Sequence, residues 1–268
     1  MKITVLNDNR TLSNLYCCEH GLSVHIETDG LSLLLDTGQT DKYIRNASAL
    51  GIDLRQTDAI VLSHGHYDHA GGLSYFPACE RRVKLYMNQQ ALIKRFSLST
   101  AMLKPNGFPN PDALKHFDVV HIDGIYHIND KVTLFTLPSD APVNERLVTS
   151  VDGGNLVPDT FPDEVFTIIR ENGKTILFGG CTHHGLEQLL SFCKNNLGVK
   201  EISLFIGGLH LSGRDADYIH DEAQKTKDIL PVERWVVNHC TGEDAISYWS
   251  QHFACEAKDG YTGSCIQI

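Results

Sequence analysis

The chain has 268 residues, with 23 Lys and Arg against 33 Asp and Glu, a formal net charge of −10. At about 150 residues per domain this spans one to two domains and is ample for a full core, and 42% hydrophobic with 21% charged residues excludes a disordered or fibrous chain. No run approaches the roughly 20 apolar residues of a membrane-spanning helix, and the acidic balance is unsuited to bulk binding of nucleic acid or an anionic membrane surface. The eight cysteines, at 17, 18, 79, 181, 193, 240, 255 and 265, show no CxxC and no disulfide-framework spacing. Residues 1–6 lack the basic, apolar and small-residue blocks of a leader peptide, so the expectation is a reduced, cytoplasmic chain.

In chain order, 2–6 and 22–28 read as strands, apolar and β-branched residues alternating with polar ones. Asp29-Gly30 separates the second strand from 31–35, a hairpin signal. Residues 41–50 read as a helix closed by Gly51. The run 58–62, DAIVL, is short, apolar and bounded by turn signals, which reads as a buried strand. Residues 83–86 read as a strand and 89–95 as a helix. Over 96–130 the pattern is irregular, with Pro105, Gly107, Pro109 and Pro111 close together. Phe96, Met102, Leu103, Phe108 and Phe117 make that stretch an insertion rather than a linker; Phe96, Met102, Phe108 and Phe117 either line a substrate lid or pack its underside.

A strand at 131–137 and a loop-rich stretch at 138–162 follow. Residues 165–170 and 175–178 flank Asn172-Gly173, a second hairpin. Helix 185–195, strand 201–206, helix 215–229, strand 234–237, helix 243–251 and a last strand within 261–268 complete the chain. One pattern recurs three times: a short buried strand, a loop rich in Gly and His, then a helix. The expectation is one domain over 1–268 with an insertion at about 96–130, α/β layers, mixed sheets, and functional loops along one sheet edge.

His64, His66, Asp68 and His69 fall within six residues, directly after the 58–62 strand. Imidazole and carboxylate are usual nitrogen and oxygen ligands of zinc and related ions. Two His one residue apart on an extended loop can face the same way as one ligand pair. Asp68 and His69 fall where a helix can begin and can point toward a second ion. Gly65, Gly71 and Gly72 let the backbone turn around the cluster.

The segment 63–69, SHGHYDH, resembles the HxHxDH motif of the metallo-β-lactamase superfamily, and Leu34-Leu35-Asp36-Thr37-Gly38 is similar to the family's strand-ending DTG. GGCTHHG at 179–185, GGLHL at 207–211, NHCTG at 238–242 and Leu6-Asn7-Asp8-Asn9 resemble one branch in particular. That branch holds the dihydropterin–ribofuranosyl-aminobenzene phosphate synthase and many proteins known only as metal-dependent hydrolases. The resemblance covers nearly the whole chain and is weakest over 96–162. It implies a four-layer αββα sandwich of two mixed β-sheets, with metals at one edge between the sheets.

A catalytic zinc takes about three protein ligands plus water. His64 and His66 supply two at one ion, Asp68 and His69 two at the other, and His183 and His239, each just past a strand end, are the candidates to complete the set. His184 reads as a helix-start polar residue. In many relatives an acidic residue at about the place of Cys181 bridges both metals; Cys181 is here either a thiolate ligand or a small buried hydrophobe. His210 reads as a ligand, an acid for a leaving group, or a substrate clamp. Asp36 is expected to orient the metal loop through hydrogen bonds; Asp8 and Asn9 are rim residues or a plain turn. The histidines at 20, 25, 116, 121, 127, 220 and 252 lack ligand spacing and read as surface or structural.

The resemblance thus implies one or two divalent ions, zinc first with manganese or iron as alternatives. It implies metal-assisted hydrolysis of a small, anionic phosphorylated or ester-type substrate, with catalytic parts for Asp68 and His210. Residues 179–185, just ahead of a helix, also read as a phosphate cradle. The alternative is a transferase that joins a pterin-type diphosphate to an aromatic amine and releases pyrophosphate. Diiron oxidoreductases of this fold carry HxExDH, with Glu where this chain has His66. No motif specifies an oligomeric state.

Overall fold

The apolar runs around residues 33, 60 and 177 have no polar face, which suits strands covered on both sides. A computed structural model, describing residues 1–28, 30–98, 102–138, 147–150 and 154–268, shows what covers them. Along each strand successive side chains enter different cores. Leu33, Leu35, Ala59, Val61, Ile176 and Phe178 meet between two sheets. Leu34, Ile60 and Leu62 turn outward to a core shared with Tyr43 and Ala47 of the helix Lys42–Ala49. Leu177 turns outward on the other side, against the helices Leu186–Asn196, Ala216–Lys227 and Glu243–His252. The result is the expected four-layer αββα sandwich, the metallo-β-lactamase fold.

One sheet has seven strands in the order Cys265–Gln267, Lys2–Asn7, Ser23–Thr28, Leu31–Leu35, Ala59–Val61, Lys84–Met87 and Asp118–His121. The other has six: Trp235–Val237, Leu204–Gly207, Lys174–Gly179, Val165–Glu171, Val132–Thr136 and Ile125–His127. Both are mixed. The hairpins at 28–31 and 171–174 are antiparallel, whereas Leu31–Leu35, Ala59–Val61 and Lys84–Met87 run parallel, as do Lys174–Gly179, Leu204–Gly207 and Trp235–Val237. The chain leaves these parallel strands into the segments at 36–38, 63–69, 180–185, 208–212 and 238–242, which hold the singled-out residues. Loops past the carboxyl ends of parallel strands are where α/β sheets place their ligands.

Two expectations fail between 89 and 162. The helix expected at 89–95 is a single 3-10 turn, Gln89–Leu92, capped by Asn88, and the chain then becomes the strand Arg95–Leu98. Arg95 is drawn into buried ion pairs with Asp159 and Asp163, a long-range pull that overrides local helix propensity. A third sheet, in the order Leu156–Pro158, Leu147–Ser150, Arg95–Leu98 and Leu103–Pro105, occupies stretches read as irregular. Arg95 pairs with Thr149, too far along the chain for a local pattern to announce. Phe108 and Phe117 pack into the outer core beside the Lys42–Ala49 helix, so they underpin the insertion rather than form a lid.

Leu177, fully buried under the helical layer, tests this packing. Leu177→Ala should cost about 2–5 kcal/mol, read as a lowered denaturation midpoint. An unchanged midpoint would show that the outer core does not hold the helices as described.

Candidate metal centre

Asp36 ends the strand Leu31–Leu35 in a left-handed conformation, φ 56°, with its carboxylate fully buried. It accepts hydrogen bonds from Ser63 N at 2.7 Å and Ser63 Oγ at 2.6 Å, and lies 2.7 Å from His69 Nδ1. Because the Ser63 hydroxyl proton goes to Asp36, the 2.9 Å contact between Ser63 Oγ and His64 Nδ1 requires the ring to donate. Asp36 thus sets the tautomer of two imidazoles, placing the proton on Nδ1 and leaving Nε2 bare in the neutral rings. Gly180 lets this hub close: a Cβ there would lie 2.1 Å from Ser63 Oγ.

His239 is set the same way from another loop. Its Nδ1 lies 3.0 Å from Asn9 Oδ1, while Asn9 Nδ2 donates to His239 O and fixes the amide's orientation. Asp8 accepts His239 N at 2.7 Å. Burial raises the Asp8 carboxyl to about 6, with hydrogen bonds and Arg10 pulling the other way.

The inward-facing ring nitrogens converge. His64 Nε2 lies 3.1 Å from His66 Nδ1 and 3.3 Å from His183 Nε2. His69 Nε2 lies 3.2 Å from His239 Nε2 and 3.2 Å from Cys181 Sγ, and His239 Nε2 is 3.3 Å from Asp68 Oδ2. Burial is the leading cause that holds four of these rings neutral: His66 falls to about 3, His239 to about 4, and His64 and His183 well below the ordinary range. At His69 burial also pulls down, but Asp36 and then Asp68 outweigh it and push the ring to about 9. Lone pairs and a carboxylate facing one another in a buried space demand positive charge, and the neutral imidazole is the form that ligates metal. The opposite nitrogens of two of these rings, His66 Nε2 and His183 Nδ1, are buried with no hydrogen-bond partner among the described residues. The donor set therefore fits a divalent ion: His64, His66 and His183 lie around one position, and the pairwise contacts of His69 with His239 and Cys181, and of His239 with Asp68, outline a second.

Every metal candidate drawn from the sequence thus lies in one place. Asp36 sits behind the donors, in contact with His69 rather than among the inward-facing nitrogens. His210, φ 52°, borders a cleft of about 400 Å³ with its ring centroid 4.4 Å from that of His183. Burial first, opposed by Glu164, lowers its pKa. His66, Asp68, Cys181 and His239 line the same cleft.

Other residues escaped the sequence reading. His20, read as surface or structural, is 54% exposed, yet its Nε2 lies 3.0 Å from Asp68 Oδ2 at the cleft wall. Glu164 is buried and accepts His183 N at 2.7 Å and His184 N at 3.1 Å, with His184 Nδ1 2.7 Å away. His184 is therefore a buried anchor rather than a simple helix-start residue. Asp163 accepts Gly65 N at 2.7 Å and pairs with Arg95, tying the third sheet to the His64–His66 loop. Phe161 stacks on His183 at 3.7 Å and 9°. The available signal was the acidic pair Asp163-Glu164 at the head of an apolar strand.

Three amides of the expected phosphate cradle at 179–185 are taken: those of His183 and His184 are spent on the Glu164 carboxylate and Gly185 N on Thr182 O, so none of these three is free for a phosphate. Asp36, Phe161, Thr182, His210 and His239 all carry φ between 48° and 56°. Such conformations cost of order 1–3 kcal/mol each and persist where surrounding contacts dictate them.

Together, the fold and this centre define a metal-binding hydrolase-like protein. The model of the metallo-beta-lactamase superfamily matches residues 18–79, which contain the whole His64–His69 cluster. The structure of Tm1679, a metal-dependent hydrolase of the beta-lactamase superfamily, is similar with a TM-score of 0.83 and 27% identity, covering 100% of this chain and 99% of that one. An uncharacterized protein of Methanocaldococcus jannaschii is 28% identical over 255 residues, 93% of this chain and 94% of its own length. The 7,8-dihydropterin-6-methyl-4-(beta-D-ribofuranosyl)-aminobenzene-5'-phosphate synthase of the same organism is 24% identical over 283 residues, 99% of this chain and 95% of the synthase. No helix among the described residues is long and apolar enough to cross a membrane.

Asp36→Asn keeps the side chain's size and removes the charge that sets the His69 and His64 tautomers. It should weaken metal binding about 10–100-fold, measured by competition with a chelator. Parent affinity in this variant would refute the orienting part given to Asp36.

Proposed function

We propose that the chain is a metal-dependent hydrolase acting on a small anionic substrate of the phosphorylated or ester class, with zinc as the first choice of metal. The observation that carries this reading is the convergence of five imidazoles, four of them held neutral by burial, and a carboxylate at the floor of a cleft. A divalent ion there supplies Lewis acidity and brings the pKa of water from 15.7 to about 7. The chain's own residues hold the geometry: Asp36 and Ser63 orient His64 and His69, Asn9 and Asp8 orient His239, and Glu164 fixes the His183 backbone. The His183, His184 and Gly185 amides being spent, a substrate anion is left to the cationic centre and the cleft's side chains. His210 stands at the wall, with a ring positioned to exchange a proton with substrate.

A second reading, supported by the full-length similarity to the dihydropterin synthase, is a transferase that joins a pterin-type diphosphate to an aromatic amine. There the same centre would assist departure of pyrophosphate. Pyrophosphate released only when the amine is also present identifies the transferase; turnover of a single ester identifies the hydrolase.

Metal quantification with a screen of phosphomonoesters, phosphodiesters, thioesters and lactones tests the proposal. The variant His64→Ala/His66→Ala should lose about one metal equivalent and all turnover while staying folded. Unchanged metal content would defeat the assignment. His210→Gln should keep its metal and lower kcat about 10²–10⁴-fold; an unaltered rate would remove His210 from proton transfer.

A further inference from the structure

Cys240 is the reactive group at the centre that the reading above leaves unused. Its Sγ, Cys181 Sγ and a ring nitrogen of His239 all lie within 4.8 Å of one another. Its thiol also approaches Cys181 O at 3.7 Å and borders the cleft. The fold makes room for it: a Cβ on Gly208 would stand 2.4 Å from Cys240 Sγ and 3.4 Å from Cys181 Cα. The left-handed His239 opens the turn His239–Thr241, and Thr241 Oγ1 accepts Leu209 N at 3.0 Å, which ties this turn to the 208–211 loop. The other buried thiols, Cys193 and Cys255, sit among apolar side chains of the helical core. Among the described residues, the chain's sulfur donors near other ligands are thus gathered at the second position, while the first is formed by nitrogen alone.

We propose that Cys181 and Cys240, with His239, make the second metal position a mixed sulfur–nitrogen site. This deepens the metal-dependent reading above and rests on it. Thiolate donors select thiophilic ions such as zinc, cobalt or cadmium over manganese and magnesium, which prefer oxygen. Loading breaks two S–H bonds, forms two metal–sulfur bonds and releases those two protons to solvent, beside the proton that His69 gives up on ligating, with no change of oxidation state. Without a cation the Cys181 thiol stays protonated, as burial and its contact with Cys240 dictate.

The test is titration of the metal-free full chain with Co(II), comparing the parent with Cys181→Ser, Cys240→Ser and the double variant, and with Cys265→Ser as an exposed control. The parent should develop a thiolate-to-cobalt charge-transfer band in the near ultraviolet. Each single variant should lose about half of it and the double variant all of it, with proton release falling by about one per ion for each thiol removed. The control should match the parent. Visible cobalt bands from the three-histidine position should persist in every variant and report that the chain is folded. A parent with visible bands but no charge-transfer band, or a band untouched by Cys240→Ser, overturns the thiol assignment and leaves the three-histidine position standing. A parent that binds no cobalt overturns both.

Discussion

The Asp36 carboxylate is a buried charge with three partners: the Ser63 amide, the Ser63 hydroxyl and the His69 ring. A buried carboxylate is costly unless every lone pair is used, so this arrangement allows little freedom. Its consequence reaches beyond stability. By accepting the Ser63 hydroxyl hydrogen bond and facing His69 Nδ1, it determines which nitrogen of His64 and His69 turns to the centre. Those nitrogens then face one another and neighbouring donors, and the accumulated negative character makes a cation the natural occupant. Asp8 and Asn9 act in the same way on His239. The donor set is therefore one coupled unit, and removal of any member disturbs the others.

The sandwich is what brings the unit together. Strands from both sheets end at one edge, and each delivers a short loop. Several of those loops turn at a left-handed, non-glycine residue. That local cost is tolerated because hydrogen bonds between loops hold the turns: His239 N on Asp8, His183 N on Glu164, Gly65 N on Asp163. The irregular stretch before residue 165 is tied into this scheme. Arg95, buried between Asp159 and Asp163, clamps the third sheet against the metal loop, and Phe161 covers one face of His183.

The same hydrogen bonds constrain chemistry. A glycine-rich loop ahead of a helix ordinarily offers free amides to an anion. Here Glu164 has claimed two of them, so the loop serves the metal ligands instead. For the anionic substrate proposed above, recognition would fall to positive charge at the centre and to the side chains of the cleft, His210 and His20 among them.

What the residues alone determined was whatever is encoded over a few neighbouring positions. The dense His64–His69 cluster, the hairpins at Gly30 and Asn172-Gly173, and the strand–loop–helix pattern that singled out His183, His210 and His239 are of this kind, since ligand spacing and strand period are local quantities. The tertiary structure alone decided that Arg95 starts a strand in a third sheet, that Glu164 rather than an anion occupies the His183 and His184 amides, that His20 meets Asp68, and that Cys240 stands beside Cys181. Each of these joins segments separated by some 20 to 70 residues. Such pairings depend on how two sheets and their layers pack, and packing is a property of the assembled core that no short stretch of chain contains.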